Sequence, residues 1–144
     1  MADEAQLQAD LKSAMKARDM DTVYVLRGLI AAIKNLKVEK QIGAVPEADI
    51  AALVRKEINK RVEAADYARQ ANRPELVQKN EQEKGLLERY LPQQLSADAL
   101  QSAISEIASE LGTTQIGPIM TKLRERHAGQ FDGKLASELI RKLK

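Results

Sequence analysis

The stretch YLPQQLS at residues 90–96 divides the chain into two groups of helical segments. Pro92 cannot continue a helix, because it lacks the backbone N–H and its ring biases the preceding residue toward an extended conformation. Ser96 is a favoured N-cap residue, so a new helix is expected to begin directly after it. We therefore predict a domain boundary here, with one domain over residues 1–91 and a second over residues 92–144.

Before this boundary, apolar residues recur at spacings of three and four, which is the pattern of amphipathic α-helices. We predict helices at about residues 3–17, from Asp19 or Asp21 to Lys40, and at about 47–71 and 74–90. The second helix carries apolar residues on more than one face, which is typical of a central helix packed on two flanks. The first domain is therefore expected to be a helical bundle of about four helices.

After the boundary, three shorter helices are predicted. The fifth helix ends at Gly112, because glycine readily adopts the left-handed conformation that terminates helices. The sixth begins at Thr113 or Thr114 and stops at Gly129, and Asp132 caps the seventh. With no strand pattern anywhere, the fold class is all-α, and the second domain is expected to be a three-helix module.

The composition excludes several classes of function. There are no cysteines and only one histidine, which excludes thiolate metal sites, cysteine nucleophiles and His-rich metal sites. No apolar run approaches the roughly 20 residues that span a bilayer, and the acidic N-terminus does not resemble a secretory signal. We therefore expect no metal, no cofactor, no membrane association and a cytoplasmic location.

Two glycine-flanked stretches share only their spacing with phosphate-binding loops. Residues 112–117 (GTTQIG) are followed by Pro118-Ile119 rather than Lys-Ser/Thr, and residues 129–134 (GQFDGK) are too short and lack the hydroxyl. Both are better explained as turns at helix ends. The serines are scattered and no pair of carboxylates stands out, so we predict no catalytic residues and no independent activity.

Positive charge gathers after Gly112, where seven basic residues face three acidic ones. Such a face attracts polyanions, and the N-terminus of the last helix, at Asp132-Gly133-Lys134, would add to the attraction. The candidate nucleic-acid-binding residues are Lys122, Arg124, Arg126, His127, Lys134, Arg141, Lys142 and Lys144. The alternative is that these are ordinary solvated charges, with His127 favoured by the negative end of a helix.

Five further side chains allow more than one interpretation. Phe131 lies between two glycines and is expected to lock the turn before the last helix, although it could stack on a base. Tyr24, Tyr67 and Tyr90 fall at helical positions and are predicted to be core or boundary residues. Arg27 lies within the apolar second helix, where a charge needs a partner, so we expect an ion pair with a carboxylate of a neighbouring helix.

Four stretches of this sequence resemble the YqeY-like proteins. They are residues 26–35 (LRGLIAAIKN), 55–61 (RKEINKR), 90–95 (YLPQQL) and 132–134 (DGK). The resemblance extends over essentially the whole chain. One departure is Ala64, which stands where the family's Arg-x-x-Ser run has a serine, so no role of that hydroxyl applies here.

The resemblance implies that the C-terminal module is shared with the tail of the B subunit of the tRNA-dependent amidotransferase. In that enzyme the tail contacts tRNA, while ammonia release and the ATP-dependent chemistry lie on other domains and another subunit. Our leading hypothesis is therefore a non-catalytic accessory protein associated with tRNA or other structured RNA. One alternative is a protein–protein interaction module that docks on an amidotransferase or translation protein. The other follows the family-level label, carbon–nitrogen ligation with glutamine as amide donor.

Overall fold

The computed structural model describes residues 3–143, and these residues form seven α-helices and no β-strand. The helices are α1 (Glu4–Lys16), α2 (Met20–Lys40), α3 (Glu47–Gln70), α4 (Pro74–Glu88), α5 (Ala97–Leu111), α6 (Ile116–Arg126) and α7 (Gly133–Arg141). The predicted all-α fold class is confirmed. Within the described residues, no helix is both long and apolar enough to cross a bilayer.

The chain separates into two compact units, residues 1–92 and residues 93–144. Each unit contains its own cluster of buried apolar side chains. That each unit folds as an independent domain stays a prediction, as does the division into a bundle and a three-helix module.

In residues 1–92, α2 contacts α1, α3 and α4 through one wide apolar face. Leu26 and Leu29 are almost completely buried on this face. The opposite face of α2 is open to solvent, so that Tyr24 is 67% exposed. The prediction of a helix packed on two flanks is therefore only half right, because the neighbours of α2 cover one side of it.

Three residue predictions in this unit are wrong, because all three side chains are exposed to solvent. Tyr24 and Tyr67, 67% and 70% exposed, are surface residues and not core or boundary residues. Arg27 is exposed, and its side chain has no ion pair within residues 3–143. Its guanidinium reaches water directly, which removes the need for a carboxylate partner.

The termini of α2 show which local signals act. Asp19, one of the two predicted caps, is the N-cap residue, and its carboxylate accepts hydrogen bonds from the amide and the hydroxyl of Thr22 at 3.3 and 2.6 Å. These hydrogen bonds lower the pKa of Asp19. At the other end, Gln41 adopts the left-handed conformation that terminates the helix, with φ of 55°.

Tyr90 joins the end of α4 to α1. Its hydroxyl donates a hydrogen bond to the carboxylate of Asp10, with 2.7 Å between the two oxygens. Burial of the phenol, followed by this hydrogen bond and the negative charge of Asp10, raises the pKa of Tyr90. As a half-buried residue packed against the apolar cluster of this unit, Tyr90 is the boundary residue that its position predicts.

We expect the phenol of Tyr90 to make the folded protein sensitive to alkaline pH. Because its pKa is raised in the folded state, its contribution is complete below the unfolded value of about 10 and is lost as the pH rises through the folded value. Tyr90→Phe removes this dependence and costs about 1 kcal/mol at neutral pH through the lost hydrogen bond. The test is urea unfolding at intervals between about pH 7 and pH 11. The matched control is Tyr24→Phe, at an exposed phenol, and an equally steep alkaline decline in Tyr90→Phe and the unmodified protein would contradict this account.

In residues 93–144, the three helices α5, α6 and α7 contact one another pairwise around a second apolar cluster. The buried members are Leu100, Ile104, Ile107, Ile119, Met120, Leu123, Ala136 and Ile140. Gly112 ends α5 with φ of 64°, as predicted. The predicted start of α6 at Thr113 or Thr114 is wrong, because the helix begins at Ile116 after Gln115 as N-cap residue. The hydroxyl of Thr113 accepts a hydrogen bond from the amide of Gln115, at 3.1 Å, in the turn before the helix.

Candidate nucleic-acid interface

The loop of residues 127–133, which joins α6 to α7, is held by hydrogen bonds to the segment that precedes α5. The amide of Leu95 donates to the carbonyl oxygen of Gln130, at 2.8 Å. The side-chain amide of Gln130 in turn donates to the carbonyl oxygen of Gln93, at 3.2 Å. These contacts fix where α7 begins within its unit. Sequence reasoning missed them, because nothing local distinguishes these glutamines from solvated ones.

The start of α7 agrees with its sequence signals. The carboxylate of Asp132 accepts a hydrogen bond from the amide of Lys134, at 3.2 Å, and so caps the helix as predicted. Phe131 is half-buried and packs against the apolar cluster of this unit. The interpretation of Phe131 as a hydrophobic lock is therefore confirmed, and its ring is engaged by the protein itself.

Two of the candidate cations on α6 are paired with carboxylates. The guanidinium of Arg126 contacts both oxygens of Glu110, at 2.5 and 3.3 Å, and the Lys122 ammonium lies 3.5 Å from Glu125. The hydrogen bonds from Arg126 lower the pKa of Glu110, and those to Glu110 raise the pKa of Arg126. Both pairs are exposed to solvent, where ion pairs are weak and readily exchanged.

Arg124 does not share the face of these two cations. At 3.6 residues per turn, it lies about 160° around the axis of α6 from both Lys122 and Arg126. The three basic residues of α6 therefore flank the buried face of the helix on opposite sides. Arg124 is exposed and has no ion-pair partner within residues 3–143.

The cations of α7 are placed more favourably. Lys134 and Arg141 are seven residues apart, which puts them within about 20° of each other on the helix surface. This surface faces away from the buried Ala136, and both side chains are exposed. Lys142 follows α7 directly and is also exposed. No ion pair of these three side chains occurs in the described part of the chain.

The remaining two candidates differ from these. His127 is the C-cap residue of α6, half-buried, with its Nδ1 3.3 Å from the side-chain oxygen of Gln130. This position fits the interpretation of His127 as a helix-terminal residue, and a role in binding stays a prediction. Lys144 lies outside the described residues.

Together these features define a small, all-helical protein with exposed cations on and next to its last two helices. The family model for YqeY, described as Yqey-like protein, matches residues 4–143. The chain belongs to this family, and the resemblance seen in the sequence is confirmed.

Three relatives are each named altered inheritance of mitochondria protein 41, mitochondrial. The protein of Lachancea thermotolerans is 31% identical over 74% of this chain and 58% of its own length. That of Vanderwaltozyma polyspora is 27% identical over 81% of this chain and 66% of its own length. The relative from Clavispora lusitaniae is 24% identical over 88% and 77%. The chain therefore spans a little over half the length of the first of these relatives.

These names correct one expectation. All three relatives are named as mitochondrial proteins, so the prediction of a cytoplasmic location is wrong by this comparison. That prediction depended on the missing cysteines and on the absence of a secretory or membrane-spanning pattern. Such features concern oxidation and export, and they do not distinguish one reducing compartment from another.

Proposed function

We propose that this YqeY-family protein is a non-catalytic accessory protein that binds tRNA or other structured RNA through residues 93–144. The observation that carries the proposal is a set of exposed cations on and next to α6 and α7 that form no ion pair within residues 3–143. They are Arg124, Lys134, Arg141 and Lys142. Such a protein would act beside an amidotransferase or another protein that uses the same RNA.

The physical basis is neutralisation of phosphates by charges that pair with no carboxylate in the described part of the chain. Structured RNA is recognised largely through its backbone and shape, so a surface without exposed aromatic rings is sufficient. The guanidinium of Arg141 has the fork geometry that pairs with two phosphate oxygens at once. Arg126 would have to exchange Glu110 for a phosphate, and exposed ion pairs of this kind permit such an exchange.

We expect saturable binding of deacylated tRNA that weakens as salt rises, with a slope of log K against log salt of about −3 for four phosphate contacts. Lys134→Gln/Arg141→Gln should reduce the magnitude of this slope by about 2, because each lost phosphate contact removes about 1. The measurement is a titration of labelled tRNA at several salt concentrations.

The matched control is Lys122→Gln/Arg126→Gln, which also removes one lysine and one arginine from the same unit. Since these two cations are paired with Glu125 and Glu110, the control should change the slope less. Binding that is absent at low salt or indifferent to salt would refute the proposed function. If both variants reduce the salt slope equally, the phosphate contacts are not made chiefly by the cations that form no ion pair within residues 3–143.

A further inference from the structure

A cleft of about 320 Å³ in residues 1–92 is lined mainly by α3 and α4, with one residue of α2 at its wall. Its walls include Tyr24 from α2, Lys60 and Arg61 from α3, and Lys79 and Glu83 from α4. Small-molecule sites have volumes of about 300–1,000 Å³, so the cleft has room for a ligand the size of a mononucleotide. None of these residues belongs to the basic surface of α6 and α7, and the inference does not rest on the proposed function.

One wall of the cleft offers an aromatic surface. Tyr24 is 67% exposed, although its ring is large and apolar and lies beside the other lining residues. Its hydroxyl has no hydrogen-bond partner within residues 3–143. A ring held on a helix and left uncovered in this way is suited to stacking against a flat, unsaturated ligand, which nucleobases provide.

Two cations at the cleft are available to an anion. Lys79 is exposed and has no ion pair in the described part of the chain. Among the described residues, Lys60 is paired only with Glu57 of its own helix, at 3.1 Å, and its side chain is 57% exposed. Such a pair within one helix is weak, so a phosphate can replace the carboxylate.

The third feature is a carboxylate that is mostly buried but whose oxygens still reach solvent. Glu83 is only 6% exposed, yet it accepts no hydrogen bond within residues 3–143. Its nearest cation is Arg61, at 4.0 Å, and that guanidinium is held at 2.7 Å by Glu57. Since no side-chain oxygen of the described residues is both fully buried and without a partner, the Glu83 carboxylate still reaches solvent, and a ligand that donates a hydrogen bond to it can replace water.

We propose that this cleft binds a nucleoside monophosphate whose base carries an exocyclic amino group. The base stacks on Tyr24, the phosphate lies between Lys60 and Lys79, and the amino group donates a hydrogen bond to Glu83. The nucleotide is either a free molecule or an unpaired nucleotide of an RNA strand, since both present the same three groups.

The experiment is a calorimetric titration of the full chain with adenosine monophosphate and, separately, with purine riboside monophosphate. Purine riboside carries a hydrogen in place of the amino group, and its ring nitrogens stay as they are in adenosine. We expect saturable binding of adenosine monophosphate and at least about tenfold weaker binding of purine riboside monophosphate, because the latter offers Glu83 no hydrogen-bond donor. Equal binding of the two nucleotides would overturn the proposal.

Tyr24→Ala should weaken binding about five- to 150-fold, which is the range found when a stacking ring is removed. Tyr67→Ala is the matched control, because Tyr67 is equally exposed but does not line the cleft, and this variant should bind like the unmodified protein. An oligoadenylate of four nucleotides distinguishes the two sources. If it binds more tightly than the monophosphate, the cleft is a site for an RNA strand. If it binds more weakly, the cleft is a site for a free nucleotide. If neither ligand binds in a way that depends on Tyr24, the proposal is wrong.

Lys134→Gln/Arg141→Gln separates this proposal from the proposed function. This variant should bind adenosine monophosphate as the unmodified protein does, even where its affinity for tRNA has fallen. If the protein binds the nucleotide but not tRNA, the proposed function is wrong and the cleft proposal stands. If it binds tRNA but not the nucleotide, the reverse holds.

Discussion

Leu123→Ala is expected to unfold residues 93–144 while residues 1–92 stay folded. Leu123 is completely buried in the apolar cluster that α5, α6 and α7 share. Truncating a buried leucine costs about 2–5 kcal/mol, from lost transfer free energy and the cavity that remains. A unit of about 50 residues has a total stability of about 3–8 kcal/mol, so the loss is comparable with the whole. If the predicted domain division is right, the effect should stop at the boundary.

Amide hydrogen exchange measures both units in one sample. In Leu123→Ala, amides of α5, α6 and α7 should lose protection, while those of α2 and α3 should keep it. The matched control is Leu111→Ala, which makes the same chemical change at a side chain that is 41% exposed and should have a small effect. Loss of protection in both units together would show one cooperative unit and would reject the predicted division into domains.

The positions of the helices were predictable because their signals are local. Apolar spacing, the caps at Asp19, Ser96 and Asp132, and the terminator Gly112 all act within a few residues of the helix ends. The predicted start of α6 was wrong, because two threonines and a glutamine precede the helix and only their contacts decide which residue is the N-cap. The hydroxyl of Thr113 is used in the turn, so no side chain caps the helix itself.

The exposed face of α2 was not predictable from its composition. A helix with apolar residues on several faces indicates burial, but the pattern does not say how many neighbours the fold supplies. Here the neighbours cover one wide face, which leaves Tyr24 and Arg27 in solvent. The exposed ring of Tyr24 at the cleft that we assign to a nucleotide follows from this incomplete coverage, and the sequence carries no signal for it.

The sequence shows which residues of the candidate interface are basic. It does not show which of them are paired with carboxylates. The contact between Lys122 and Glu125 lies within one helix and can be read from their spacing. The partner of Arg126 is Glu110 of α5, which depends on how two helices pack. The acidic character of α5 next to basic α6 was the available hint, but charge counts alone do not identify pairs.

Arg61 is a second residue whose ion pairs depend on how two helices pack. It is a charged residue of α3, yet its side chain is only 16% exposed. Its guanidinium lies between Glu57 of the same helix, at 2.7 Å, and the buried Glu83 of α4, at 4.0 Å. The partial desolvation of the Glu57 carboxylate opposes ionisation, but the hydrogen bonds from Lys60 and Arg61 outweigh it and lower the pKa of Glu57.

Arg61→Met is therefore expected to destabilise the fold by about 3 kcal/mol, because it leaves the buried carboxylate of Glu83 without its cation, while Glu57 keeps Lys60. Adding Glu83→Gln to this variant should recover about 1–2 kcal/mol, since it removes the uncompensated charge and keeps the side-chain volume. The free energies of unfolding come from urea denaturation of the two single variants and the double variant. The matched control is Arg69→Met, because Arg69 bridges Asp66 and Glu81 in the same way, at 2.8 and 2.9 Å, but is 51% exposed. Exposed ion pairs contribute about 0–1 kcal/mol, so this control should change stability little. If both methionine variants lose the same stability, burial is not what makes Arg61 important.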